Sequence, residues 1–386
     1  MIISLKEGNI PTIQQSSDYA IVAITKHGVE TARRLHERMS GTDVYYMSKF
    51  RHGDEEQKGI QLFENSVRLL FPALFPAYQG LIIIISLGAV VRMIAPLLQD
   101  KKKDPAIVVI DDHAEHVISV LSGHLGGANE LTLEVAAALG ARPVITTASD
   151  VQKTIPVDLF GRRFGWRWES ADKLTPVSAS VVNEERIAVI QESGETDWWQ
   201  HDRQIPPHIQ RFTQIEDAAA YDPQAVLLIT HRLLRADEQA ILHNGVLYRP
   251  RVIVLGIGCN RGTAAEEIEA VIRETLDELG FSLLSVKAAC TIDLKKDEEG
   301  LLAVVRKFGW EFVCYTPEDL NRIPVEAPSE TVYKFTGAYG VSEPAAKLYI
   351  QSEQLALTKK KSGNVTISVG LLRFAEGGPS CQEELS

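Results

Sequence analysis

Unbroken apolar runs alternating with amphipathic stretches organise the first part of this chain. The pattern predicts strands at residues 19–24, 81–86, 106–110, 117–121 and 143–146. It predicts helices at 29–39, 62–71, 90–98 and 128–139, with a turn at Thr25-Lys26-His27-Gly28 and an irregular polar stretch after the first helix. Strands that are apolar throughout must be covered on both faces, so the expected fold is α/β: a doubly wound, mainly parallel sheet over residues 1–149. Ligands in such sheets sit beyond the strand carboxyl ends. Gly88, Asp111, Asp112 and the turn from Ser122 to Asn129 all follow strands, and they are expected to converge there.

Alternation is poorer from 150 to 249, where Trp166, Trp168, Trp198 and Trp199 and several prolines fall, and a smaller α+β domain is expected. Residues 250–386 return to strand, glycine turn and helix, so a C-terminal α/β domain is expected. Thr263 and Glu266 read as a capping box for a helix that Gly280 stops. Further strands are expected at 281–286, 311–315 and 364–370, with helices at 299–308 and from Ser342.

Composition narrows the function classes. The chain has 386 residues, a 45% hydrophobic and 24% charged composition and a formal net charge of -11. This suits a multi-domain globular protein, not a nucleic-acid binder, since no long basic stripe offsets the negative charge. No apolar run is long enough to span a bilayer, and the start lacks the features of an export signal. Four cysteines without paired spacing, Cys259, Cys290, Cys314 and Cys381, fit a reducing cytoplasm.

The densest chemistry lies around residues 117–130, where a strand empties into Ser122-Gly123-His124-Leu125-Gly126-Gly127 and then a helix. Small residues let a ligand approach the backbone, the helix start favours negative charge, and His124 can exchange a proton near neutral pH. Asp111, Asp112, His113 and His116 lie nearby in sequence. They suit either a solvated turn or, with His124, a zinc-dependent hydrolase, although no His-x-Glu or Cys-x-x-Cys pattern accompanies them. Lys101-Lys102-Lys103 reads as an exposed loop that, with Arg92, would suit a carboxylate-rich ligand. The series Gly256, Gly258, Gly262 is one residue too long for a dinucleotide fingerprint, and Lys287 occupies the region of the expected acid, so an anion-binding or structural turn is preferred. Cys259 is expected to be buried.

Five strings in order, Leu87-Gly88-Ala89-Val90-Val91-Arg92, Val109-Ile110-Asp111, Leu121 to Asn129, Gly256 to Thr263 and Thr291-Ile292-Asp293-Leu294-Lys295, closely resemble the cobalt-precorrin-5A hydrolases (CbiG family) of anaerobic cobalamin biosynthesis. The resemblance spans nearly the whole chain, and the C-terminal glycine turn also resembles CobE-like proteins. It implies hydrolysis of the δ-lactone of a cobalt-containing tetrapyrrole, with a two-carbon fragment lost as acetaldehyde to give cobalt-precorrin-5B. Cobalt then arrives with the substrate, and the protein brings no cofactor or metal of its own.

On this reading His124 is the general base, oriented by Asp111 or Asp112, and Glu130 relays a second proton. Amides of Gly126, Gly127 or the Gly88 turn hold the oxyanion. Substrate contacts are expected from Gly88, Ala89, Arg92, Ser122, Gly123, Gly126, Gly127 and Asn129, and from Gly256, Gly258, Cys259, Arg261 and Thr263. Expected partners are the corrinoid and, transiently, neighbouring pathway enzymes, with no nucleic acid and no membrane. The alternative is a non-catalytic corrinoid carrier, which would bind the lactone without releasing acetaldehyde.

Overall fold

Valine, isoleucine and leucine crowd both sides of the N-terminal strands, so neither face of their sheet can stay in water. The computed structural model describes residues 2–100 and 103–374, and the chain forms two compact units that divide between Thr154 and Ile155. The first begins with β1 (Ile2–Ser4), β2 (Tyr19–Ala23), α1 (Lys26–Arg38), β3 (Thr42–Met47), β4 (Gln61–Glu64) and α2 (Phe71–Ala77). It continues with β5 (Gly80–Ile84), α3 (Leu87–Ile94), β6 (Ala106–Ile110), β7 (His116–Leu121), α4 (Ala128–Leu139), β8 (Arg142–Val144) and α5 (Ala148–Gln152).

These strands form one eight-stranded sheet in the order β1-β4-β3-β2-β5-β6-β7-β8. The first six in that order are parallel. β7 runs antiparallel to β6, and β8 is parallel to β7. Side chains alternate across the sheet. Ile21, Ile82 and Val108 pack with Val29 and Leu35 of α1 and Leu131 and Val135 of α4. Val22, Leu81 and Ile83 pack on the other face with Phe71 and Leu74 of α2 and Val90 and Ile94 of α3.

Two expectations fail within this unit. Residues 62–71 are not one helix: Leu62 and Phe63 pair with Tyr46 and Met47 in the sheet, and Asn65, at φ 72°, breaks the run before any helix begins. β3 lies where an irregular stretch is expected. Its polar groups are satisfied internally, since the buried carboxylate of Asp43 accepts from the Tyr78 hydroxyl at 2.8 Å and the Ser16 hydroxyl at 2.5 Å.

The second unit opens with β9 (Arg167–Trp168), α6 (Leu174–Val182), β10 (Ile187–Gln191), β11 (Ile209–Phe212), α7 (Ile215–Ala220), β12 (Ala225–Ile229) and β13 (Gly245–Arg249). They make a sheet in the order β11-β10-β12-β13-β9. It is parallel except for the short edge strand β9, and so more parallel than an α+β unit. Phe160, Trp166, Trp198 and Tyr248 fill its core.

A second sheet in this unit follows, from β14 (Ile253–Cys259), α8 (Ala265–Glu278), β15 (Val286–Ile292), α9 (Glu299–Phe308) and β16 (Glu311–Tyr315). It is completed by α10 (Pro317–Asn321), α11 (Glu330–Thr336), α12 (Ser342–Ile350), β17 (Leu357–Ser362) and β18 (Val365–Leu371). The strand order is β16-β15-β14-β18-β17. Residues 283–285, expected in a strand, form a 3₁₀ turn instead, and the strand begins at Val286.

Candidate active site

Only residues 111–115 separate β6 from β7, too few for a helical crossover, so the chain must turn back beside itself. That reversal divides the site expected from sequence. The carboxyl ends of β2, β5 and β6 bring Thr25, Gly88, Asp111 and Asp112 to one edge of the sheet, whereas those of β7 and β8 bring 122–127 and 146–150 to the opposite edge. β7 has six residues, so the edges stand roughly 17 Å apart.

The convergence of Asp111 and Asp112 on His124 therefore does not occur. Asp112 accepts a short hydrogen bond from the Thr25 hydroxyl and lies 3.3 Å from His27 Nδ1. Asp111 accepts backbone N–H groups from His113 at 2.9 Å, Glu115 at 3.3 Å and His116 at 2.5 Å. Burial pushes its carboxyl up, but those amides outweigh burial and hold it below the usual carboxylate range. Asp111 thus shapes the β6–β7 turn. Gly88, Ala89 and Arg92 belong to α3, which starts at the same far edge, with Gly88 and Arg92 exposed. The three histidines of the zinc alternative are likewise split by β7. Among the described residues no group of three or more His, Cys, Asp or Glu is gathered as a metal site.

At the β7–β8 edge the glycine turn closes on itself. The N–H groups of Gly127, Ala128 and Asn129 donate to the carbonyls of His124, Ser122 and Gly123 at 2.9, 3.1 and 2.9 Å. The Gly127 amide, expected to hold an oxyanion, is thereby engaged. Ser122 sits at φ 58°, and its hydroxyl donates to the Asp104 carbonyl at 2.9 Å. Glycine is needed at 126, where a Cβ would lie 2.3 Å from that of Ser122. It is needed again at Gly127, the left-handed N-cap of α4 at φ 83°. Lys103, just before Asp104, is exposed; Lys101 and Lys102 lie outside the described residues.

His124 finds its carboxylate elsewhere. Its Nε2 lies 2.8 Å from Asp150 Oδ2 and 3.1 Å from Ser149 Oγ. The imidazole is 16% exposed and the carboxylate 39%, so the ring is sheltered but not entombed. Asn129, expected to touch substrate, points inward and is 6% exposed. Its Nδ2 donates to Asp150 Oδ2 at 2.9 Å and to Thr147 Oγ1 at 3.0 Å, while Oδ1 accepts the Ser119 hydroxyl at 2.6 Å. Glu130 is exposed in the first turn of α4.

Sequence reasoning takes Ser149 and Asp150 as a domain end and passes over Thr147. The signal was present: they follow a strand joined by one helix to the strand that delivers His124, and such a crossover puts both carboxyl ends on one edge.

In the second unit, the expected contact residues fall into structural places. Gly256 and Gly258 are inside β14, not in a turn. A Cβ on Gly256 would come 1.8 Å from the Ser342 carbonyl oxygen, so glycine there admits the start of α12. Cys259 is half-buried, and burial raises its thiol pKa. Arg261 is exposed, 2.7 Å from Asp297 and donating to the Leu294 carbonyl at 2.9 Å. Thr263 is no cap: its hydroxyl donates to the Asn260 carbonyl at 2.8 Å, and Ala264 is the N-cap of α8. Among the described residues no helix is long and apolar enough to cross a membrane.

Comparison with known proteins covers the chain in three stretches. The family model described as Cobalamin synthesis G N-terminal matches residues 70–150, Cobalamin biosynthesis central region 155–250 and Cobalamin synthesis G C-terminus 253–370. A cobalt-precorrin-5A hydrolase of Priestia megaterium is 66% identical over 373 residues, covering 97% of this chain and 100% of that protein. One of Salmonella typhimurium strain LT2 is 32% identical over 359 residues, covering 91% and 97%. Protein CobE of Sinorhizobium sp is 31% identical over 113 residues, covering 28% of this chain and 71% of its own.

Proposed function

We infer the chemistry from one premise: the chain belongs to the cobalt-precorrin-5A hydrolase (CbiG) family, and it hydrolyses cobalt-precorrin-5A in cobalamin biosynthesis. The substrate is a broad tetrapyrrole rimmed by carboxylates and carrying a δ-lactone. A water attacks the lactone carbonyl while His124 takes its proton. The observation that carries this assignment is the imidazole held at 2.8 Å by Asp150, in a glycine turn at the carboxyl ends of two strands.

With the Gly127 amide engaged and the Gly88 turn at the far edge, the oxyanion falls to the amide of Gly126. Collapse of the tetrahedral intermediate breaks the ring C–O bond, and the departing oxygen is protonated by the imidazolium. Deprotonation of the freed hydroxyl, relayed through Glu130, then breaks the adjacent C–C bond. The two-carbon fragment leaves as acetaldehyde, and its electron pair passes into the conjugated ring. Because the substrate itself is the electron sink and carries the cobalt, this route calls on no further cofactor. Cys259, Cys290 and Cys314 are free thiols, which supports placing the reaction in a reducing cytoplasm; Cys381 lies outside the described residues.

The test is acetaldehyde release by His124→Ala. Turnover is expected to fall about 10²- to 10⁴-fold, with corrinoid binding, followed by its absorbance, retained. Unchanged lactone opening would remove His124 from the mechanism.

A further inference from the structure

Asn129 stands on α4, yet its carboxamide reaches Ser119 in β7 and both Thr147 and Asp150 in the segment after β8. A carboxamide offers two donor hydrogens and one acceptor oxygen. Here the hydrogens go to Thr147 and Asp150 and the oxygen to the Ser119 hydroxyl. The opposite flip would set Oδ1 against a carboxylate oxygen, so the network fixes its orientation. Asp150 Oδ2 thus receives two N–H groups, from Asn129 at 2.9 Å and from His124 at 2.8 Å.

A carboxylate at Nε2 keeps the imidazole proton on that nitrogen, which leaves the lone pair on Nδ1. Ser149 Oγ approaches the same Nε2 but at 3.1 Å. A serine nucleophile activated there would need Nε2 deprotonated, against the closer carboxylate. Among the described residues, charged groups on the surrounding segments include Lys103 and Asp104 before β6, Glu130 on α4, and Asp150 and Lys153 of the α5 segment; of these, Asp150 is the one in the hydrogen bond described.

We propose that Asp150 and Asn129 are a positioning pair: Asp150 sets the tautomer and direction of His124, and Asn129 acts through Asp150 without touching substrate. The proposal rests on His124 being the base, and its test separates the two. Asp150→Asn presents an amide to Nε2 and favours the opposite tautomer. The expected loss in kcat is about 10²- to 10⁴-fold with KM within about twofold, since the geometry is kept and the proton is misplaced. Losing a negative charge beside the imidazole also moves the acid limb of the kcat/KM profile to lower pH. Asn129→Ala is expected to cost about tenfold in kcat and to move that limb to higher pH, because the carboxylate loses a competing donor.

Melting curves establish that each variant folds. Should Asn129→Ala fail to fold, Thr147→Val removes one anchor of the carboxamide and is read by the same division between kcat and KM. Wild-type kcat and profile in Asp150→Asn, with His124→Ala inactive, would overturn the positioning pair and leave the base standing. A rise confined to KM in Asn129→Ala or Thr147→Val would make Asn129 a substrate contact instead. Activity in His124→Ala would remove both readings together.

Discussion

Two glycine-rich segments of this protein look alike in sequence, each a strand, small residues and a helix, and they use the missing side chains differently. In the first unit, Gly126 makes room for Ser122, and the turn holds His124 against Asp150. In the second, Gly256 makes room for the backbone of Ser342, so α12 can lie on the sheet. Glycine spacing therefore announces that something comes close to the main chain; it does not say whether a polar site or a neighbouring helix is what comes.

The contrast is open to direct attack by adding one methyl group to each segment. Gly256→Ala sets a Cβ against backbone at 1.8 Å, and should cost at least about 3 kcal/mol, read as a large fall in the melting temperature. Gly126→Ala meets the Cβ of Ser122 at 2.3 Å and its carbonyl oxygen at 2.8 Å, a less severe backbone approach, and should cost about 1–3 kcal/mol, but with a kcat loss of about tenfold or more in the folded variant. Equal effects on stability and rate at both positions would erase the distinction.

A smaller effect is expected at the far edge of the N-terminal sheet. Asp111→Ala removes the acceptor of three backbone N–H groups and should destabilise the first unit by about 1–2 kcal/mol. The folded variant should release acetaldehyde within about twofold of wild type, and a larger loss of rate would place that edge in the reaction.

The mildest test uses acid. His231, after β12, is pushed down to about 4 by burial, and its Nδ1 has no hydrogen-bond partner among the described residues. The folded state holds it neutral while the unfolded chain binds a proton near pH 6.5. Its contribution to stability is therefore full above about pH 6.5 and is lost as pH falls towards 4. In the first unit, burial raises Glu55, but the His52 amide and the Tyr46 hydroxyl bring it down to about 2. That contribution is full above about pH 4.3 and is lost only as pH falls towards 2. All five tryptophans lie in the second unit, so their fluorescence should report its melting falling between pH 6.5 and 4. His231→Phe should flatten that slope, and an unchanged slope would dismiss the account.

Much of this architecture was legible because burial leaves a plain mark. The helices at Ala128–Leu139 and Glu299–Phe308 and the strand at Glu311–Tyr315 match the periodicity residue for residue. β3 was missed because Asp43, Tyr45 and Tyr46 are polar groups satisfied inside the sheet, and hydropathy counts them as exposed. The carboxylate serving His124 was assigned to the wrong edge for a different reason: an apolar run reads the same in either direction. The short link 111–115 carried the missing information, since a parallel neighbour needs a dozen or more connecting residues.

Asp150 stands only four positions before the boundary at Thr154. A fragment ended at residue 149 would keep every strand of the N-terminal sheet and still sever the histidine from its acid. Such a truncation would also cut α5 and leave the Asn129 carboxamide without its acid, so any dissection of this chain into separately expressed pieces has to carry the first one through to Thr154.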